Sequence, residues 1–308
     1  MFISVIVPTH ARPASLASCL DGLAAMDAPR GTYEVIVSDD GSPNSTAPVV
    51  ERYRDRLQLT LLTYARSGPA GARNRGAARA RGSHLAFLDD DCVPGPDWLA
   101  VLRRHLGEQP RALLGGRVVN ALAGNPFAAA SQQLVSYLCE YYGARPGSAP
   151  FFTSNNMAVE AARFRAIGSF DTGFVRAAGE DRELCDRWHS LGYPSRYVPE
   201  AVVYHSHPLT LRRFCRQHFN YGRAALRFHR LRAQRDRRGF RLEPPAFYTQ
   251  MLRYPFTQGT GSTPWVHSAL LGLSQVVNAA GTLRERLGTG PEAGAPEPAS
   301  GVPRSQSP

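Results

Sequence analysis

Three consecutive carboxylates, Asp89, Asp90 and Asp91, follow an apolar run at 84–88. No basic residue stands within this run, and unpaired carboxylates so close together repel one another. Mg²⁺ and Mn²⁺ prefer oxygen ligands and leave positions open for the phosphates of a substrate, so a divalent cation would relieve that repulsion. A solvated acidic turn is the alternative interpretation of the same three residues.

Two further acidic pairs stand elsewhere in the sequence. Asp39 and Asp40 follow a β-branched run, where they could form a turn or cap a helix. Glu180 and Asp181 begin a helical pattern, where carboxylates are favoured by the positive end of the helix dipole. The pattern alone leaves structural and chemical roles open for both pairs.

Two histidines, His205 and His207, close a short strand-like run at 201–205. Mn²⁺ tolerates imidazole as a ligand, so either side chain could complete a metal site. A single histidine more often has a structural role, which is the alternative for each of them.

Alternating strand and helix patterns would bring these residues together. Strands are predicted at 3–7, 34–38, 57–64, 84–88, 155–159 and 201–205, and helices from Pro13 and at 69–81, 97–106, 127–142 and 180–191. Strands that alternate with helices form a mostly parallel sheet, and ligands bind such sheets beyond the carboxyl ends of the strands. Three of these ends carry Pro8 to His10, Asp39-Asp40 and Asp89 to Asp91, so we expect one shared ligand site.

In their order along the chain, these motifs resemble those of glycosyltransferase family 2. The matching segments are Val5-Ile-Val-Pro-Thr-His-Ala-Arg12, Ser38-Asp-Asp-Gly-Ser42, Gly71-Ala-Arg-Asn-Arg-Gly76, Asp89-Asp-Asp91, Gly168-Ser-Phe-Asp171 and Gly179 to Arg187 with Gly192. The resemblance covers about residues 1–210. It implies an α/β fold of the GT-A type, with a mostly parallel central sheet flanked by helices and followed by a helical extension.

The resemblance also implies which residues bind the donor. The corresponding positions are Pro8, Thr9, Arg12, Asp39, Asp40, Arg73, Asp89, Asp90, Asn156 and Glu180. Among them, Asp40 would contact the nucleotide base, and Asn156 would line the sugar pocket. The usual Pro-Thr-Tyr-Asn-Arg of the family is Pro-Thr-His-Ala-Arg here, so the identity of the base stays open.

The family's metal site and catalytic base map to further residues. Its D-x-D motif corresponds to Asp89 and Asp91 at a site for Mn²⁺ or Mg²⁺, with Asp91 as the direct metal ligand and Asp89 reaching the ribose, or the metal through water. His205 would be an extra ligand, with His207 as the alternative. In inverting members the general base corresponds to Asp181, and an aspartate with a free-solution pKa of ~3.9 is ionised at neutral pH, as a base must be.

The resemblance therefore predicts an inverting, metal-dependent glycosyltransferase. It would move a sugar from a nucleoside-diphosphate sugar to the hydroxyl of a glycan or a lipid-linked acceptor. A sugar nucleotidyltransferase is the rival enzyme, but residues 8–13 lack the glycines of its usual first loop. A degenerate sugar-nucleotide-binding protein or membrane adaptor is the non-enzymatic rival, and the intact Asp89, Asp91 and Asp181 argue against it.

Charge is concentrated in one segment of the chain. The 308 residues carry a net charge of +11, and eleven arginines with a single acid lie between Arg212 and Arg241. The segment predicts either a solvated pair of helices or contact with an anionic membrane surface. Nothing in it indicates sequence readout of nucleic acid, so no nucleic-acid partner is predicted. We expect a catalytic domain at 1–210, a basic helical extension at 211–287 and a disordered tail at 288–308.

A moderately apolar pattern runs from Trp265 to Leu287. It is too polar to span a bilayer, so it predicts a helix that lies in a membrane interface or packs on the catalytic domain.

Five unpatterned cysteines argue against a disulfide scaffold, and the apolar run at 2–7 is too short for a signal peptide. The predicted location is the cytoplasm, with peripheral binding to the inner face of the membrane.

Overall fold

Strands and helices alternate through the first half of the protein and give way to helices at its end. The computed structural model describes residues 1–29, 31–145, 147–174, 178–236, 243–258 and 263–288, with residue 236 described by its backbone alone. The strands are β1 (Ile3–Thr9), β2 (Tyr33–Asp39), β3 (Leu59–Thr63), β4 (His84–Phe87), β5 (Cys92–Pro94), β6 (Leu113–Asn120), β7 (Met157–Glu160) and β8 (Ser195–His205). The helices are α1 (Pro13–Ala24), α2 (Ala47–Glu51), α3 (Gly68–Arg79), α4 (Trp98–Glu108), α5 (Pro126–Gly143), α6 (Ala161–Ala166), α7 (Glu180–Ser190), α8 (Leu211–Asp236), α9 (Pro245–Thr257) and α10 (Pro264–Gly288). Except for residue 288, the predicted disordered tail lies outside the described residues.

The strands of the described segments form one sheet in the order β3-β2-β1-β4-β7-β6-β8-β5. Strands β1 to β4 run parallel, and so do β6 and β8. The antiparallel pairs are β4 with β7, β6 with β7, and β5 with β8. The sheet is mixed, with more parallel than antiparallel pairs, which confirms the predicted α/β class.

Both faces of the sheet are covered, which is why its central strands are apolar along their whole length. Every residue of β1 and β2 is buried. Because successive side chains point to opposite faces, Val5 and Val7 join the apolar cluster on one face, which includes residues of α1 and α4. Ile6 joins the cluster on the other face, with Phe87 and residues of α3, α6 and α7.

Strand β6 was not predicted, and two of its eight residues explain the omission. Gly115 and Gly116 interrupt its apolar pattern, and glycine weakens a strand unless something must approach closely. Here something does, because a Cβ atom at Gly115 would overlap the Phe152 ring and one at Gly116 would overlap Asn156. The strand predicted at 201–205 is the second half of β8, and the one predicted at 57–64 is the shorter β3.

The helical extension packs on the sheet domain and on itself. Helices α8 and α10 approach so closely that a Cβ atom at Gly222 would overlap the Asn278 carbonyl oxygen, and one at Gly281 would overlap that of Phe219. The Thr282 hydroxyl donates to the Gly222 carbonyl across 2.9 Å at this crossing. An apolar cluster then joins α5, α9 and α10, its buried members being Leu134, Tyr137, Phe247, Met251, Tyr254 and Leu271.

Helix α10 divides its apolar residues between two faces. Leu271 is buried, and Leu270 and Leu273 pack against a second cluster around Phe214, so part of the pattern serves ordinary packing. Trp265 and Val276 are instead exposed. The inner and outer faces of the helix are therefore both partly apolar. Within the described residues, no helix is long and apolar enough to cross a membrane.

Candidate functional site

The candidate site lies where β1, β2 and β4 end, as expected for a parallel sheet. Thr9 and Asp39 are register partners at the ends of β1 and β2. The Asp40 amide donates to the Thr9 carbonyl across 2.9 Å, and the Leu88 amide donates to the Ile6 carbonyl just before the acidic run. The sequence positions that carry these motifs therefore do share one edge of the sheet.

Arginines from other elements pair with the acidic run. Arg12 Nη2 lies 2.6 Å from Asp90 Oδ1, and Arg12 Nη1 lies 2.6 Å from Asp91 Oδ2. Arg73 Nη2 lies 2.6 Å from Asp89 Oδ1. The premise that these carboxylates are unpaired is therefore wrong, because their counter-charges come from α3 and from the loop before α1.

Asp91 and two histidines form a group that could hold a metal ion. His205 Nε2 lies 3.3 Å from Asp91 Oδ1, and His207 Nδ1 lies 3.6 Å from Asp91 Oδ2. One ligand atom from each of the three lies within 4.8 Å of the others. Although burial opposes it, the two nearby histidines and the Arg12 charge hold the pKa of the Asp91 carboxyl well below its usual range.

This donor set fits a divalent cation, and two imidazoles beside one carboxylate suit Mn²⁺ better than Mg²⁺. Arg12 contacts the same Asp91 carboxylate, so a bound cation and Arg12 would share it. Asp89, predicted to reach the ribose or the metal through water, is not a member of this group and pairs with Arg73, and its role stays a prediction. His207, the alternative to His205, lies inside it, so both histidines face Asp91.

The start of α7 carries the other acidic pair. Gly179 precedes it with a φ of 88°, a left-handed conformation that favours glycine and turns the chain into the helix. Arg73 Nη1 lies 3.0 Å from Glu180 Oε1, so one guanidinium joins α7 to the acidic run through Asp89. Arg73 is nearly inaccessible to solvent, so this bridge is buried.

Burial perturbs the protonation of this pair. Burial, and next the charge of Asp181, raise the pKa of Glu180 to about 7. The Glu180 Oε2 atom is buried without a hydrogen-bond partner among the described residues. Burial also raises the pKa of Asp181, although its Oδ1 accepts a hydrogen bond from the Arg182 amide across 2.7 Å. The two carboxyls therefore titrate closer to neutrality than free acids.

Asp39 and Asp40 have local structural bonds. Asp39 Oδ1 accepts from the Ser42 amide and hydroxyl across 2.9 and 2.6 Å, which forms a turn. Asp40 accepts from the Ser67 and Gly68 amides across 2.7 and 2.8 Å, at the start of α3. The turn and capping roles thus exist, and a nucleotide contact by Asp40 stays a prediction.

Three other predicted donor-binding residues lie at or behind this edge. Thr9 Oγ1 donates to Asp90 Oδ2 across 2.6 Å, and Pro8 is buried beside it in β1. Asn156 is buried behind the site, where its amide nitrogen donates to two backbone carbonyls, those of Arg117 and Ala201. Both of its amide hydrogens are used, so the predicted sugar contact has no free donor at Asn156.

The stretch that follows the His205 strand end in the sequence is expected to lie near the diphosphate, and the structure gives the partners of two of its residues, Gln217 and Tyr221. Gln217 and Tyr221, one turn apart on α8, are bonded to each other, and Gln217 also contacts His207 and Ser131. Their i, i+4 spacing was the available signal, since such residues share a helix face. The spacing does not say which residue that face meets.

Comparison with known proteins gives a family match. A family model described as Glycosyl transferase family 2 matches residues 4–168, more than half of the chain. Validoxylamine A glucosyltransferase of Streptomyces hygroscopicus is 32% identical over 227 residues, which covers 65% of this chain and 54% of that protein. Pre-mycofactocin glycosyltransferase of Mycobacterium tuberculosis is 30% identical over 230 residues, covering 72% and 46%. The chain therefore spans about half the length of these relatives.

Solved structures share the fold. The mannosyltransferase PcManGT from Pyrobaculum calidifontis, in complex with GDP-Man and Mn²⁺, gives a TM-score of 0.62 at 20% identity, covering 94% of this chain and 88% of that one. S. aureus TarS 1–349 in complex with UDP-GlcNAc gives 0.55 at 17% identity, covering 95% and 93%. These likenesses confirm the predicted GT-A type of fold.

Proposed function

Since the chain belongs to glycosyltransferase family 2, we propose that it transfers a sugar from a nucleoside-diphosphate sugar to an acceptor hydroxyl, with inversion at the anomeric carbon. The observation that carries the proposal is the Arg73 bridge. Its two nitrogens bind Asp89 and Glu180 at 2.6 and 3.0 Å. The bridge holds the acidic run next to the start of α7. The first is the proposed donor site and the second carries the proposed base, and a transferase needs the two side by side.

The donor's diphosphate would lie against the cationic part of this site. Asp91, His205 and His207 would hold a divalent cation, which supplies neutralisation of the diphosphate and of the leaving group's charge. Mn²⁺ is the proposed ion, with Mg²⁺ as the alternative. Arg12 pairs with Asp90 and Asp91, and its side chain is 45% exposed. Its guanidinium could therefore also bind a phosphate group at this site.

Asp181 is the proposed general base. Its carboxylate would take the proton of the acceptor hydroxyl while that oxygen forms a bond to the anomeric carbon. The bond from this carbon to the diphosphate oxygen breaks on the opposite side, and its electron pair leaves with the nucleoside diphosphate. Arg73 would hold Glu180 aside during this step, because its guanidinium binds the Glu180 carboxylate.

The acceptor is proposed to be a hydroxyl of a glycan or a lipid-linked glycan. Among the solved structures, PcManGT is a complex with GDP-Man and S. aureus TarS 1–349 is a complex with UDP-GlcNAc. Asp40 is the proposed base-contacting residue here, and His10, whose Nδ1 lies 3.0 Å from the Asp40 carbonyl oxygen, stands beside it. Neither guanine nor uracil is favoured by these two residues, so both donors belong in the assay.

An anionic membrane surface is the proposed partner of the outer face of α10. Trp265, Val276, Leu283 and Leu287 lie on this face and are between 57% and 77% exposed. Arg284 on the same helix and Arg253 on α9 are also exposed. An exposed apolar helix face together with exposed cations is complementary to anionic lipid.

The test is a donor panel with Mn²⁺, scored by release of nucleoside diphosphate and by the anomeric configuration of the product. We expect diphosphate release that depends on acceptor, stops in excess chelator, and gives an inverted product. Pyrophosphate exchange with a nucleoside triphosphate would instead identify a nucleotidyltransferase. Donor binding with every acceptor inert would identify a binding protein, and a retained anomer would overturn the mechanism.

A further inference from the structure

The two ring nitrogens of His207 face different groups. Nδ1 lies 3.6 Å from Asp91 Oδ2, on the side of the candidate metal site. Nε2 lies 3.1 Å from Gln217 Oε1, on the side of helix α8. A neutral imidazole carries hydrogen on one nitrogen and a lone pair on the other, so the partner at Nε2 decides whether Nδ1 can bind a metal.

The hydrogen bonds of Gln217 favour one orientation of its amide. Its Nε2 atom lies 2.9 Å from the Ser131 hydroxyl on α5 and 2.8 Å from the Tyr221 hydroxyl one turn along α8. Both amide hydrogens are therefore used on these two oxygens. The carbonyl oxygen is left for His207, and a carbonyl can only accept a hydrogen bond.

We propose that Gln217 is a positioning residue that holds His207 with hydrogen on Nε2 and a lone pair on Nδ1. This inference rests on the metal site of the proposed function, because the freed lone pair points toward Asp91. His205 presents its Nε2 to the other oxygen of the same carboxylate, at 3.3 Å. The cluster thus uses Nδ1 of one histidine and Nε2 of the other, and only His207 has its outward nitrogen bonded to α8.

A functional consequence follows for the helical extension. Partners that hold the second nitrogen of a metal-binding histidine orient the ring and raise its basicity, and removing them typically costs 10–100-fold in metal affinity. Here that partner comes from α8 and is itself held by α5. The extension therefore contributes to the metal site as well as packing beside it.

Two substitutions of Gln217 distinguish two arrangements. In the proposed one the Gln217 side chain accepts a hydrogen bond from His207, and in the reverse one it donates to His207. Gln217→Met removes the acceptor, and we expect a 10–100-fold loss of Mn²⁺ affinity, measured by electron paramagnetic resonance without any substrate. Gln217→Glu keeps an acceptor at the same place and should bind Mn²⁺ at least as well as wild type. If Gln217 instead donates to His207, the carboxylate cannot replace it, and Glu should be as harmful as Met; that outcome overturns the proposal. Gln275→Met on α10 is the matched control and should leave the affinity unchanged.

Two further measurements distinguish positioning from a general loss of structure. In a His207→Ala background, Gln217→Met should cause no additional loss of Mn²⁺ affinity, whereas an equal loss in both backgrounds would overturn the proposal. ¹⁵N spectra of the metal-free protein, with His207 assigned by difference from His207→Ala, should show hydrogen on Nε2 in wild type and in Gln217→Glu. Failure of wild type to bind Mn²⁺ would refute the metal part of the proposed function, and these spectra would still test Gln217: hydrogen on Nδ1 with none on Nε2 in wild type would overturn the inference.

Discussion

Arg73 Nη1 lies 3.0 Å from Glu180 Oε1, and the two residues are 107 positions apart in the sequence. Both side chains are almost fully buried, and the second terminal nitrogen of Arg73 holds Asp89. This contact ties α3, the acidic run and the start of α7 together.

Arg73→Met should destabilise the protein by about 3–5 kcal/mol and abolish transfer, because it leaves the buried Glu180 and the partly buried Asp89 without their counter-charge. The free energy of unfolding, from urea titration followed by circular dichroism, is the measurement. Arg54→Met is the control, since its ion pair with Glu51 is exposed and such pairs contribute about 1 kcal/mol or less. Equal effects of the two changes would contradict a structural role for the bridge.

Asp181→Asn should lower kcat by about 10²–10⁴, the usual range for loss of a general base, while donor affinity stays close to wild type. Donor binding is measured by calorimetry and kcat by diphosphate release at saturating acceptor. Asp55→Asn is the control, because Asp55 is exposed and distant from Asp181 in the sequence. It should leave donor affinity and kcat unchanged. Near-normal turnover of the Asn variant would show that another group takes the proton.

The pH profile should show an acid limb near neutrality. Burial and the adjacent charge of Asp181 raise the pKa of Glu180 to about 7, and burial raises that of Asp181. As pH falls the two linked carboxyls share the first proton that they take up, so the ionised fraction of Asp181 decreases and kcat falls. Glu180→Gln removes the like charge and should move the limb to lower pH. A kcat that is flat between about pH 5 and 8 would contradict this assignment.

Glu34 should stabilise the fold in a pH-dependent way. It is buried and accepts from the Ser4 hydroxyl at 2.7 Å and from the Arg81 amide at 2.8 Å. Although burial opposes it, these bonds and the Arg81 charge lower the pKa of Glu34. Its contribution is therefore present above the unfolded pKa of ~4.3 and lost as pH falls through the lower folded value.

Glu34→Gln should accordingly cost about 1–3 kcal/mol at pH 7, because buried partners lose a charged acceptor. The difference from wild type, taken from urea unfolding, should shrink as the pH is lowered below about 4. Turnover per folded molecule should not change, since Glu34 lies at the start of β2, away from the carboxyl edge. A difference that grows in acid would reverse the assigned sign.

Membrane binding should depend on the outer face of α10. Trp265→Ser with Leu287→Ser, or Arg253→Gln with Arg284→Gln, should each weaken sedimentation with anionic vesicles, and salt should weaken it further. Tyr197→Ser, an exposed aromatic on β8, is the control and should have no effect. No binding to anionic vesicles at low salt would end this proposal.

The arginines of α8 are less suitable for that test. Arg235 Nη2 lies 2.8 Å from Asp186 Oδ2, and Arg232 and Arg227 pair with Asp186 and Asp171. Neutralising them would disturb the packing of α8 on α7 and would confuse membrane binding with folding. Part of the positive charge of α8 is therefore neutralised by ion pairs within the protein.

The motifs predicted much of the candidate site because each is local. Each motif occupies a few consecutive residues. Examples are an apolar strand followed by acids, and Gly179 followed by Glu180 and Asp181. The arginine partners were not predicted, since Arg12 and Asp91 are 79 positions apart and nothing local joins them. Strand β6 was missed for a related reason, because its two glycines make sense only against Phe152 and Asn156.

The sequence by itself determined the alternation of strands and helices, the sheet edge at which the acids collect, and the family resemblance. Local backbone preference and side-chain periodicity carry that information, and both act over a few residues. Only the tertiary structure decided that Arg12 and Arg73 neutralise the acidic run, that His207 joins His205 at Asp91, and that Gln217 contacts His207. These contacts depend on strand register and on how α8 docks against α5, which arise when distant segments pack together and have no local signature.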